Sequence, residues 1–393
     1  NNEGIWAASG VNEMNVARTA TETITSNVRV LGADPLVDYI PEKEGQQERA
    51  GGIGEEDIVV LVLPYIHSAR EGVLRLGKLL EQYGTYEMNG IAFQDKDEIW
   101  WLESIGGHHW IARKVPDDAY VVMPNQLGID AFDLSDALGK QENYMCAADL
   151  DDFIKNHHLD LSLQKSFNPR EAFGSHDDAD HVYNTPRAWF MERYLNPHTS
   201  IWDGANAEYR TDSDNIPWCR TPERRITPED IKYLLSSHYQ GTPYDPYATY
   251  GDPSMRGAYR SIGIGSNAFN AMVPFYAAVE STPEYLAGTT EDVSTDNFYW
   301  SSRMIGALAD AHYGKCLSHI ERYQLAVQSQ GHELIGCFDK EMCGAKSSER
   351  KEICEKANNK IAEMLQRETQ QVLNKVLYET SCQMKNSYAR SDA

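Results

Sequence analysis

Residues 98–130 read EIWWLESIGGHHWIARKVPDDAYVVMPNQLGID. Two runs rich in Trp and Ile, Glu98–Ser104 and His109–Val115, flank Gly106-Gly107. A Gly-Gly pair between such runs signals a hairpin, because glycine reaches positive φ without a Cβ clash. Pro116-Asp117-Asp118 makes a second turn into a third run, Tyr120–Met123, and Gly90–Gln94 supplies a fourth strand before the polar Asp95–Asp97 turn. The stretch reads as an antiparallel meander with one wet edge or face. It ends in Pro124-Asn125-Gln126, where the sheet opens. Asn125 there either makes a turn after the proline or offers an amide N–H to a developing oxyanion.

Outward from this stretch the chain alternates strand and helix signals. Val16–Leu31 places Thr and Val alternately, as in a strand wet on one face, with Glu22 inside it. Asp34–Gly54 reads as a polar, glycine-rich surface loop, and Ile58–Leu63 as a strand or buried segment. Ser68–Tyr83 is a helix: Ser68 and Glu71 form a capping-box pattern, Val73, Leu76, Leu79, Leu80 and Tyr83 share a face, and Gly84 stops it. Thr227-Pro228-Glu229-Asp230 starts another helix, running to about His238, before the tyrosine-rich Gly241–Pro253. Ala268–Val279 reads as a strand. Trp300–Gln330 and Ser348–Lys385 read as long helices, the second with Ile353, Ala357, Ile361, Met364, Val372 and Val376 at helical spacing. Together the two helices suit a hairpin packed on the body or used in a homo-oligomer. The fold class is α+β, with a body over residues 1–300 and helices over 301–393.

The 393 residues carry 36 basic and 59 acidic side chains, a net charge of −23, which repels phosphate backbones and argues against nucleic acid as a partner. No run reaches the apolar length of a membrane span. The seven cysteines are widely spaced. Cys337, Cys343 and Cys354 cluster loosely without the paired spacing of a zinc site, leaving a local disulfide open. HDDADH, residues 176–181, contains metal-ligand side chains, but it reads more readily as a polar loop whose Asp residues cap turns. Adjacent His108 and His109 would point to opposite faces of a strand, a poor arrangement for one ion. No metal or cofactor is expected, and Gly263-x-Gly265 lacks the third glycine of a dinucleotide site.

Seven runs carry a resemblance: LPYIHSAREGV (63–73), YGTYEMNGIAF (83–93), EIWWLESIGGHHWIA (98–112), MPNQLGID (123–130), YNTPRAW (183–189), SSHYQGTPYDPY (236–247) and DNFYW (296–300). The chain resembles the dipeptidase D family, cysteine-type dipeptidases of the N-terminal-nucleophile hydrolase superfamily, from about Gly10 to about Asp310. The resemblance implies a four-layer αββα sandwich, dipeptide substrates and a cytoplasmic enzyme. It implies a cysteine at the mature N-terminus whose thiolate attacks the peptide carbonyl while its own α-amine serves as base, forming a thioester that water hydrolyses.

The chain departs from that family at its start, which is Asn1; no internal cysteine has a free α-amine, so the nucleophile is expected outside this chain. Three site residues carry over by motif. Asn125 in PNQ resembles the family's oxyanion-hole asparagine. Arg260 in YRSI resembles an arginine bordering the nucleophile in related amidases, where it lowers a thiol pKa or holds a carboxylate; a surface ion pair is its alternative. Glu22 in ATETI aligns with an oxyanion-hole position that carries Asn in related bile-salt and penicillin amidases. An ionised carboxylate cannot donate there but can bind the dipeptide's α-ammonium, unless Glu22 simply faces solvent. The competing readings are an amidase of acylated amines, a catalytically inactive binding or assembly protein, and a metallohydrolase using HDDADH.

Overall fold

The computed structural model describes residues 7–21, 23–163, 166–245, 247, 267–288, 291–386 and 389–390. The chain divides into two compact units, Asn1–Arg225 and Ile226–Ala393. In order, the first holds β1 (Ser9–Val11), β2 (Ala17–Thr21), α1 (Val28–Ala33), α2 (Glu55–Val62), α3 (Ala69–Tyr83), β3 (Gly90–Gln94), β4 (Ile99–Ser104), β5 (Trp110–Lys114), β6 (Tyr120–Val121), α4 (Leu134–Ala137), β7 (Tyr144–Cys146), α5 (Leu150–Asn156), α6 (Pro169–Phe173), α7 (Thr185–Leu195) and β8 (Cys219–Arg220). Among the described residues, six strands form an antiparallel sheet in the order β1-β2-β3-β4-β5-β7. The architecture is α+β.

The hairpin expected around Gly106-Gly107 is present, with Leu102 opposite Ala112 and Ser104 opposite Trp110. Its glycines are there for a different reason. Neither has positive φ. Instead the chain after α1 presses against the turn: a Cβ on Gly107 would stand 2.1 Å from the Pro35 carbonyl oxygen. The buried Asp34 carboxylate then accepts the backbone N–H groups of His108 and His109 at 2.7 and 2.9 Å and approaches both Nδ1 atoms, at 3.0 and 2.8 Å. The two rings converge on one carboxylate because His108 lies in the turn, ahead of β5. Burial opposes ionisation of Asp34, but these bonds outweigh it and hold its pKa below the usual carboxylate range.

Of the wet edge or face expected of the meander, the face is filled on both sides of the sheet. On one side of the sheet, Phe93, Trp100, Leu102 and Trp110 pack with Ile58 and Val62 of α2 and with Val73, Leu76 and Leu80 of α3. On the other, Trp101, Ile105 and Ile111 pack with Leu127, Ile129, Leu150, Phe153, Phe173 and Trp218. Full burial of one such side chain contributes about 1.5–3 kcal/mol, so both faces are strongly committed. α3 begins at Ser68, whose Oγ accepts the Glu71 N–H at 3.2 Å. The reciprocal Glu71 bond reaches His67 N, one residue earlier than a capping box requires. Tyr83, expected on the buried face of α3, is exposed.

Other expectations change locally. Val16–Leu31 is not one strand: β2 ends at Thr21, and Asn27 caps α1 by accepting from the N–H groups of Arg29 and Val30. The apolar run Ile58–Leu63 is largely helical, because Glu55, Glu56 and Asp57 place three acids against the positive end of α2. Tyr120–Met123 leaves the meander; β6 pairs with β8 in a separate ribbon, and β7 takes the place beside β5. Pro116, with no N–H to donate, ends the β5 ladder.

The second unit holds α8 (Pro228–Leu235), α9 (Phe298–Ala311), α10 (Tyr313–Gly344) and α11 (Arg350–Ser381). Thr227 and Asp230 form the capping box of α8. The helix expected over Trp300–Gln330 is two, interrupted at His312. α10 and α11 share a core of Ile320, Val327, Ile361, Leu365, Val372 and Val376, with the Tyr323 hydroxyl 2.8 Å from Thr369 Oγ1. Ala268–Val279 is not a strand among the described residues. Its backbone is satisfied by side chains instead: Asn358 accepts Tyr276 N–H and donates to its carbonyl, both at 2.8 Å. No helix among the described residues is long and apolar enough to cross a membrane.

Candidate active site

The segment after β6 makes a three-residue turn, with Gln126 N–H donating to Pro124 O at 2.8 Å and Asn125 at its apex. Asn125 is half-buried. Its backbone is matched by the Asn184 side chain: Asn125 N–H donates to Asn184 Oδ1 and Asn184 Nδ2 donates to Asn125 O, each at 3.0 Å. Its side-chain Oδ1 accepts Arg187 Nη2 at 2.8 Å. Arg187 also donates to Asn184 Oδ1 and, through Nε, to Tyr183 O at 2.7 Å, with its guanidinium 4.1 Å from the Tyr183 ring centre.

These partners come from one short piece of chain. Asp180–Asn184 is a π-helical turn leading directly into α7. Such turns are rare and concentrate at functional sites. Asn184 Nδ2 also donates to Asp180 Oδ1, and Ser175 Oγ donates to Asp180 Oδ2 at 2.9 Å. Both His side chains of HDDADH are engaged as well: His181 Nε2 lies 2.9 Å from Asp214 Oδ1, and His176 Nε2 donates to Arg170 O at 2.8 Å. The hydrogen bond to Asp214 raises the His181 pKa. Among the described residues no group of three or more His, Cys, Asp or Glu is arranged to hold a metal ion. A small cavity bounded by Gln126, Arg170, Ser175, His176, Asp180 and Asp214 has room for little more than a water molecule, and Asn125 is not part of its wall.

The far end of the PNQLGI segment is fixed from below. Glu103 on β4 is fully buried, and its carboxylate accepts Gly128 N–H at 2.7 Å, Ile129 N–H at 3.3 Å and Trp101 Nε1–H at 2.9 Å. Arg170 Nε donates to Gly128 O at 3.0 Å, and its Nη1 reaches Asp214 O at 3.0 Å and also Ile216 O. Burial pushes the Glu103 pKa up to about 7, against the hydrogen bonds and the Arg170 charge that favour the carboxylate. Asn125 therefore sits on a loop held at both ends.

Of the three site residues expected from sequence, Asn125 has this geometry, while Glu22 and Arg260 lie outside the described residues. Asn184, Arg187, Glu103 and Arg170 were not singled out. Glu103 carried a signal: in a strand, Trp101, Glu103 and Ile105 share one face, which puts a carboxylate among core residues. All seven cysteines are free, Cys337, Cys343 and Cys354 included. Cys146, expected in a helix or loop, is buried in β7, and burial pushes its thiol up to about 12, unsuited to nucleophilic attack.

The family model of peptidase family C69 matches residues 1–267 and 262–326. The chain is 49% identical over 457 residues to a protein named dipeptidase from Bifidobacterium longum, covering 99% of this chain and 86% of that one. It is 48% identical over 418 residues to a probable dipeptidase A of Streptococcus pyogenes, covering 99% and 84%. It is 41% identical over 406 residues to dipeptidase A of Lactobacillus helveticus, covering 96% and 80%. With the family model spanning most of the sequence and these relatives aligned along nearly all of it, the chain belongs to peptidase family C69 and is a peptide hydrolase.

Proposed function

We propose that the protein hydrolyses dipeptides as a cysteine-type enzyme, with Asn125 as the side-chain donor of its oxyanion hole. The alignment of proteins named dipeptidase along nearly the whole chain carries the substrate class. The fixing of Asn125 at the apex of a tight turn supports its role, since an oxyanion donor must be in place before charge develops.

In this reading a cysteine bearing its own α-amine attacks the dipeptide carbonyl. The amine takes the thiol proton, and the carbonyl π electrons move onto oxygen, where Asn125 Nδ2–H donates. Collapse breaks the C–N bond, the protonated base gives its proton to the departing amine, and a thioester remains. Water then attacks the thioester, the amine takes its proton, and the second amino acid leaves as the thiol is restored. This reading assigns the nucleophile to none of the seven cysteines of the 393 residues. Glu22 would bind the substrate α-ammonium, and Arg260 would lower the thiol pKa or hold the substrate carboxylate.

The same reading includes a four-layer αββα body to about residue 300, with the long helices beyond it. It also includes cytoplasmic residence, which seven free thiols suit, and a homo-oligomer using exposed apolar residues such as Leu325 and Leu377. The test is hydrolysis of a dipeptide by the full-length protein, followed by amino-acid release. Loss of turnover on stoichiometric thiol alkylation, with turnover kept in chelator, is expected. Chelator-sensitive, alkylation-resistant turnover would overturn the reading, as would preference for acylated amines over free dipeptides.

A further inference from the structure

We propose that Arg187 is a positioning residue that orients the Asn125 amide for catalysis, and that the π-helical turn Asp180–Asn184 exists to present it. The inference rests on the oxyanion role of Asn125 given above.

An asparagine amide has two ends of similar shape and opposite use. Only the NH2 end stabilises an oxyanion; the oxygen end repels one. A guanidinium has five donors and no acceptor. Arg187 Nη2, 2.8 Å from the Asn125 side chain, can therefore face only the amide oxygen. The flipped amide would set N–H against N–H and forfeit a charge-assisted hydrogen bond. The oxygen is thus held against Arg187, and the NH2 group lies at the opposite end of the amide.

The guanidinium is itself held in place. Its Nε is tied to Tyr183 O, its Cζ lies 4.1 Å from the Tyr183 ring centre, and the Nη2 that meets Asn125 also meets Asn184 Oδ1. Asn184 locks the Asn125 backbone on both its donor and its acceptor, and Asp180 in turn holds Asn184. Residues 180–187 thus form one unit that fixes the backbone of Asn125 and the sense of its amide. Within it, Asp180 of the acidic HDDADH segment supports the oxyanion donor through Asn184.

The experiment is a double-mutant cycle in the full-length protein with a dipeptide substrate. Arg187→Ala is expected to lower kcat by about 10–100-fold with KM changed less than about threefold, since it releases the amide from its productive sense while the donor remains. In the Asn125→Ala background the same change should have almost no further effect. Arg187→Lys, which keeps a cationic donor but loses the planar fork, should recover part of kcat. Thermal melting of each variant separates unfolding from misorientation, and if Arg187→Ala does not fold, Arg187→Lys with and without Asn125→Ala supplies the cycle. Equal losses from the Arg187 change in both backgrounds would overturn the positioning role, as would unchanged kcat in Arg187→Ala when Asn125→Ala is impaired. Unchanged kcat in Asn125→Ala would instead remove the oxyanion assignment, and the positioning role with it.

Discussion

The Glu103 carboxylate on β4 accepts the backbone N–H of Gly128 at 2.7 Å, three residues beyond Asn125. A fully buried acid in the middle of the sheet thereby sets the height at which the candidate oxyanion donor stands. Glu103→Ala would strand the Gly128, Ile129 and Trp101 N–H groups, each worth about 1–3 kcal/mol if left buried and unpaired. The expected result is a large drop in the urea midpoint, together with a lower kcat. A midpoint within experimental error of the parent would show that the loop is held by other means.

The pKa of Glu103 is raised to about 7 and that of Glu192 to about 8, both mainly by burial. A carboxyl with a raised folded pKa keeps a proton that the unfolded chain releases. Each group therefore subtracts stability as pH rises from about 4.5, the subtraction being complete near pH 7 for Glu103 and pH 8 for Glu192. Urea unfolding from pH 5 to 8.5 should show a smaller decline in Glu103→Gln than in the parent, the difference lying below pH 7. Parallel curves would contradict this.

Asp34 has the opposite sign. Its folded pKa is lowered, so it contributes stability above its unfolded value of 3.8 that is lost as pH falls below it. Asp34→Asn should lower the neutral-pH melting temperature and flatten the acid limb. An unchanged acid limb would place the acid sensitivity elsewhere.

Gly107→Ala would put a methyl group 2.1 Å from Pro35 O, against backbone that cannot swing away. A loss of about 1–3 kcal/mol is expected from such overpacking. Full stability in this variant would mean that the turn relaxes more freely than its packing shows.

Glu22→Gln tests the reading of the substrate amine. Removing a charge-assisted contact should raise KM for dipeptides by about 10–100-fold and narrow the preference over N-acetylated substrates. Unchanged KM and selectivity would remove Glu22 from the site.

The parts of the fold readable from sequence were those decided locally. Ser68, Glu71 and the Val73–Leu80 stripe announce α3, and Gly106-Gly107 announces the β4–β5 hairpin. What escaped was decided by distant partners. Gly107 is glycine because Pro35 approaches it, and residues 270–276 are irregular because Asn358 and Gln324 take up backbone groups that a strand would have paired. β6 joins β8, about a hundred residues later, a choice that its own sequence does not encode. The proposed site divides in the same way. The Asn125 candidate is legible through its motif, while the proposed role of Arg187 depends on a contact 62 residues along the chain.

The most direct test of the account is the steady-state rate of Asn125→Ala on a dipeptide, measured in the full-length protein beside the parent. The account predicts kcat lower by about 10²–10³ with KM little changed, as for loss of a preorganised oxyanion donor. A kcat within about threefold of the parent would contradict it and return Asn125 to the role of a turn residue.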